Sequence, residues 1–183
     1  MGNLNIIKKL STIYLTATSR KLNVVQPNES KEICEKCGGA CCKNAPGMAT
    51  PEQFGAPDRV ALFENLKDAF LTGEWVADWL EASTPIYFPR PNIIENHSGK
   101  LYDYVYHGMW GGEGVCNFLT DKGCKKEFDE RPGQCQSLTP SKDGKDKCKP
   151  DPSVGNKYSM AEKWEPYQKE IIEAAEHCSK KKL

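Results

Sequence analysis

Arginine is scarce in this sequence. It occurs only at positions 20, 59, 90 and 131, and every other basic residue is a lysine. Arginine is the side chain that grips phosphates and base edges bidentately. Its scarcity, with 25 basic and 25 acidic residues balancing to a formal charge of zero, argues against nucleic acid or an anionic membrane as a partner. Long apolar runs are missing as well. Nothing approaches the ~18 consecutive apolar residues that mark a transmembrane helix, so no transmembrane segment is expected. Residues 1–10 lack the unbroken apolar stretch of a secretory signal, because Lys8 and Lys9 interrupt it and no small-residue cleavage site follows. Ile6 stands where a myristoylation motif after Gly2 requires Ser or Thr. The expected location is therefore cytoplasmic, where thiols serve as metal ligands or catalysts more often than as disulfides. Catalytic signatures are also lacking: there is no Ser-His-Asp, metalloprotease, phosphate-loop or dinucleotide-binding motif. Without the last of these, a self-contained oxidoreductase is not expected, and electrons would have to arrive from a protein partner. Apolar content is 38%, below the usual ~45–50%, so the core needs staples.

Periodicity suggests the following elements. Residues 4–15 carry Ile6, Ile7, Leu10, Ile13 and Tyr14 at helical spacing, and 22–33 are polar; 1–33 thus read as an N-terminal helix and connector, and 34–183 as a cysteine-rich metal-binding domain. Thr50-Pro51-Glu52-Gln53 has the form of a capping box. A helix is expected over 57–72, with Leu62, Phe63, Leu66, Ala69 and Phe70 on one face and Gly73 as its stop. Trp75, Val76, Trp79 and Leu80 are spaced as in another short amphipathic helix. Residues 85–89 and 101–106 are rich in β-formers and are separated by the turn residues Asn96, Ser98 and Gly99, so a short hairpin is expected. From 116 to 158 Gly, Pro, Lys and Asp dominate, which implies irregular backbone. Ser159 with Glu162 reads as a second capping box opening the last helix, which Pro166 kinks or divides. Beyond it Tyr167, Ile171, Ala174, Ala175 and Cys178 form an apolar stripe. The expected fold class is α+β, mainly α: a small single domain of amphipathic helices, a short β-hairpin and irregular loops stapled by a cysteine-ligated metal centre.

What the sequence has in quantity is cysteine, nine in all. Cys34, Cys37, Cys41 and Cys42 fall within nine residues as CxxCxxxCC, and thiolates so close can converge with little chain entropy to lose. Gly38 and Gly39 allow a tight turn that aims amides at sulfur. Cys41 and Cys42 are neighbours whose side chains diverge, so a single mononuclear site cannot use the whole set. Cys116, Cys124, Cys135 and Cys148 follow as C-x7-C-x10-C-x12-C. These eight are the candidate metal ligands, and polar, glycine-rich surroundings set at least the first four apart from buried structural thiols. Cys178 continues a helical stripe and reads as core. Spacing leaves zinc and iron–sulfur open: there is no second C-x-x-C for a zinc ribbon, and no ferredoxin run. Arg131 is the candidate cofactor-binding residue, either offsetting negative thiolates or holding its loop through backbone carbonyls. His97, His107 and His177 read as surface residues, with His107 the one worth testing as a ligand.

The stretches Cys34-x-x-Cys37-Gly-x-x-Cys41-Cys42, Cys116-Asn-Phe-Leu-Thr-x-x-Gly123-Cys124 and Glu130-Arg131-Pro132-x-x-Cys135 together resemble the CxxCxxCC (YkgJ-like) family of zinc- or iron-chelating domains. Thr72-Gly73-Glu74-Trp75, Asp78-Trp79, Tyr87-Phe88-Pro89-Arg90-Pro91 and Trp164-x-Pro166-Tyr167-Gln168 extend the resemblance over about 34–168. It implies metal ligation by cysteines 34, 37, 41, 42, 116, 124 and 135, with Cys148 the eighth. Flagellin lysine N-methylases are similar in cysteine pattern and carry an iron–sulfur cluster, which favours iron–sulfur, 4Fe–4S in type, with Zn2+ as an alternative or additional metal. The chain is much shorter than such a methylase. Three readings follow: an iron–sulfur protein for electron transfer or accessory to a partner protein; a zinc-stapled interaction module; and a metal-dependent enzyme that modifies a protein or peptide.

Overall fold

The computed structural model describes residues 38–43, 46–80, 83–95, 114–139, 148–150 and 157–181. The helix and connector expected over 1–33, Cys34, Cys37, His97, His107 and the strand expected at 101–106 lie outside these residues.

The described residues form an α+β fold of helices and short antiparallel strand pairs. Thr50 leads into a 3-10 turn, Pro51–Phe54, and the Gln53 Oε1 accepts the Thr50 amide at 3.0 Å, as the capping box requires. Helix α1, Arg59–Leu71, follows. Its N-terminal amides at Val60 and Ala61 donate to Asp58 Oδ1 at 3.0 and 3.1 Å. It ends where expected, at Gly73, whose φ of 72° is left-handed. Leu62, Leu66 and Phe70 recur every fourth residue and are fully buried. The face opposite them is helix α4, Gln168–Lys181, which buries Ile171, Ala174, Ala175 and Cys178. The small side chains at 174 and 175 let the two helices approach closely. Cys178 is core, as its place on the stripe implies. Pro166 does divide the C-terminal helical region: helix α3, Lys157–Glu162, gives way to a 3-10 turn at Glu165–Tyr167 before α4 begins. Ser159 is not its N-cap. The helix starts two residues earlier, and Met160 and Ala161 are buried in the core from its first turn.

The segment expected as a short helix at 75–80 is instead strand β1, Trp75–Leu80, paired along its whole length with β2, Ile86–Pro91. Six residues are too few for an independent helix. Val76, Ala77, Asp78 and Leu80 are all buried, so both faces of the strand are covered and no period-2 alternation marks it. The buried Asp78 carboxylate is met by the Arg90 Nε at 2.5 Å from the opposite strand. Among the described residues the partner of 86–91 is this strand. Strand β3, Ile93–Glu95, pairs separately with β4, Gly114–Cys116, placing Ile93 opposite Cys116. Between β4 and α3 the described residues form short pieces, as the composition suggests: β5 Leu119–Thr120 against β6 Gly123–Cys124, a single turn α2 at Gly133–Gln136, and β7 Leu138–Thr139 against β8 Lys149–Pro150. Among the described residues no helix is long and apolar enough to cross a membrane.

Candidate metal centre

The irregular half of the fold encloses a cavity of about 60 Å³. Six cysteines line it: Cys41, Cys42, Cys116, Cys124, Cys135 and Cys148. They arrive from five separate parts of the chain, and Pro91, Phe118, Leu119, Phe128, Pro132 and Leu138 complete apolar walls between them. One water needs ~10–15 Å³, so this space holds a group of several atoms. Cys34 and Cys37 lie outside the described residues.

Backbone hydrogen bonds position the Cys41–Cys42 turn, Cys116 and Cys135. The turn 38–43 closes with the Lys43 amide on the Gly39 carbonyl at 3.1 Å. Gly39 has φ of 72°, and a Cβ there would stand 2.2 Å from Leu119 Cδ1, so this turn packs on β5 only with glycine. The Cys116 amide donates to the Cys42 carbonyl at 2.9 Å, fixing β4 to the turn. The Cys41 and Cys42 sulfurs are 3.9 Å apart and line one cavity, so these neighbours converge where their adjacency in sequence implied divergence. Cys135 enters from α2, held by a buried strip at 46–50. The Gln134 amide donates to the Met48 carbonyl at 3.0 Å, and the Met48 amide donates back to Gln134 Oε1 at 2.9 Å. The Gly47 amide is hydrogen-bonded to the Cys135 sulfur. The other edge of the strip is tied to the core. Ala49 donates to the Pro89 carbonyl at 3.1 Å and accepts from Trp164 Nε1 at 2.8 Å.

Gly47 and the strip around it carry no sequence signal, yet they set the depth of Cys135. A Cβ at Gly47 would stand 2.5 Å from the Cys135 sulfur and 3.1 Å from its amide nitrogen. Gly47→Ala is expected to destabilise the fold by about 1–3 kcal/mol, the usual cost of overpacking. A urea midpoint unchanged within error would show that the strip shifts freely.

Three of the thiols are held toward their protonated form. The hydrogen bond to Cys42, with burial, raises the pKa of Cys41; that to Cys116, with burial, raises Cys42. Burial pushes Cys135 up to about 12, against the Gly47 amide and the nearby Arg131 charge, which favour its thiolate. Arg131 also does what a loop-holding residue does: its Nε donates to the Lys126 carbonyl at 3.1 Å, and its guanidinium lies 5.9 Å from the Phe128 ring centre. The loop-holding role thus has contacts behind it. His177 is exposed, as expected. Among the described residues no three Cys, His, Asp or Glu side chains are grouped closely enough to hold a metal ion as they stand. The donor set itself, six thiols and no carboxylate, is one for soft or borderline metals.

Compared with family models, curated proteins and solved structures, the chain matches none. Its resemblance to the zinc- and iron-chelating domains therefore rests on its own residues.

Proposed function

We propose that this protein is a metal-binding protein whose cysteines hold an iron–sulfur cluster, serving electron transfer or acting as an accessory to a partner protein. One observation carries the reading: six cysteines spread over 108 positions, from 41 to 148, line a single cavity with apolar walls. Unrelated buried thiols have no reason to meet in this way. The cavity favours a cluster over one bare ion because it has room for several atoms. Arg131 beside Cys135 supplies positive charge to thiolates that become anionic on ligation, and each ligand must give up its proton to bind. Convergence of the sulfurs on the metal is part of assembly in this reading, as in small metal domains that order around their ion.

Anaerobic purification from iron-replete cells, followed by analysis for iron, zinc and acid-labile sulfide, tests it. About four irons per chain with matching sulfide is expected for a 4Fe–4S cluster. Cys178→Ser is expected to keep the full metal content, since Cys178 is buried between α1 and α4 and lines no part of the cavity. A colourless protein with zinc alone would overturn the cluster in favour of the zinc-stapled module.

A further inference from the structure

We propose that Cys42 and Cys116 close a disulfide in the metal-free chain and thereby switch off metal loading. The bond stands on geometry alone; its consequence for loading rests on the function proposed above. These two residues are distant in sequence yet are brought side by side. The Cys116 amide donates to the Cys42 carbonyl at 2.9 Å, and both residues line the same cavity. A direct amide-to-carbonyl bond sets the two backbones in contact, the proximity a disulfide requires. Cys41 is the rival partner, its sulfur 3.9 Å from that of Cys42. A bond between adjacent cysteines closes a small ring through a peptide that resists twisting, so it is the strained choice. Cys42 is only partly covered while Cys116 is 4% exposed, so oxidant reaches Cys42 first.

The chemistry balances with a peroxide as oxidant. The Cys42 sulfur attacks one peroxide oxygen as its proton passes to the departing hydroxide, the O–O bond breaks, and a sulfenic acid and one water form. The Cys116 sulfur then attacks the Cys42 sulfur, the S–O bond breaks, and a second water leaves with the Cys116 proton. Two electrons pass from the two sulfurs to hydrogen peroxide, and a dithiol reverses the bond by exchange. Since both residues line the cavity, the closed form removes two candidate ligands at once.

The test uses the full chain, reduced and stripped of metal, treated with one equivalent of hydrogen peroxide, alkylated and peptide-mapped. One dominant linkage from the peptide containing Cys42 to the peptide containing Cys116 is expected. It should persist in Cys41→Ser and Cys135→Ser and vanish in Cys42→Ser and Cys116→Ser. Uptake of zinc by the oxidised chain should fall at least tenfold and return after dithiol treatment. A Cys41–Cys42 bond, or linkages scattered over the six cysteines, would overturn the proposal. So would unchanged zinc uptake by a chain whose Cys42–Cys116 bond is mapped. If the reduced chain takes up neither zinc nor iron while the bond still forms, it is the metal reading that fails.

Discussion

Arg90→Met is expected to cost about 3–5 kcal/mol of stability, the penalty for removing one partner of a buried ion pair. Arg90 is 5% exposed and Asp78 2%, and the Arg90 Nε meets Asp78 Oδ2 at 2.5 Å. Arg90 also donates to the Pro91 carbonyl at 2.9 Å, and Asp78 Oδ1 accepts the Trp79 amide at 2.8 Å. Losing the guanidinium strands a carboxylate among Val76, Leu80 and Phe88. Pairing the change with Asp78→Leu removes both charges and should recover most of the loss, so the coupling is read from a double-mutant cycle. Urea midpoints of the four chains make the measurement. A single-mutant cost below about 1 kcal/mol would mean that water reaches the pair. The effect reaches the cysteine cavity because β2 runs into it. Pro91 lines the cavity, the Asn92 side chain donates to the Gly73 carbonyl at 2.9 Å, and Ile93 sits opposite Cys116.

That chain of contacts shows what the sequence makes legible. Helices α1 and the last, α4, are visible because Leu62, Leu66 and Phe70, and Ile171, Ala174, Ala175 and Cys178, repeat with the helical period against one another. Strand β1 is not, because it is buried on both faces and carries an acid whose partner lies twelve residues away. The candidate ligands are legible as residue types, since cysteines at such density and short spacing point to thiol chemistry. The residues that place them are not. Gly47, Met48 and Gln134 act through backbone bonds across 86 positions, and Asn92 and Asn117 are joined through the backbone where β3 and β4 meet. Residues that act through their main chain leave little trace in composition or period.

Removing metal is expected to loosen one stretch, 119–131, by about 100-fold in amide protection while leaving its flanks intact. The boundaries follow from the contacts. On one side Phe118 is 1% exposed and meets the Trp75 ring edge-on at 5.4 Å. On the other, the amides of Gly133 and Gln134 donate to Gln53 and Met48 at 2.8 and 3.0 Å, which ties them to the core. Between these anchors lie two strands of two residues each and a 3-10 turn, Phe128–Glu130, with no buried side chain. The ion pairs of Lys125 and Lys126 with Glu74 are solvent-exposed and contribute little. Cys124 is the residue through which metal would hold this loop. At a metal concentration 100 times the Kd, binding adds about 2.7 kcal/mol, which is the 100-fold in protection. The Lys125 amide, bonded to the Phe118 carbonyl at 2.8 Å, is the probe, with the Asn92 amide, bonded to the Glu74 carbonyl at 2.8 Å, as the internal control. Hydrogen exchange of the loaded and chelator-stripped chains gives the comparison, and Cys124→Ser should match the stripped chain whether or not metal is present. Equal protection at Lys125 in all three would show that Cys124 carries no metal and that the loop orders itself.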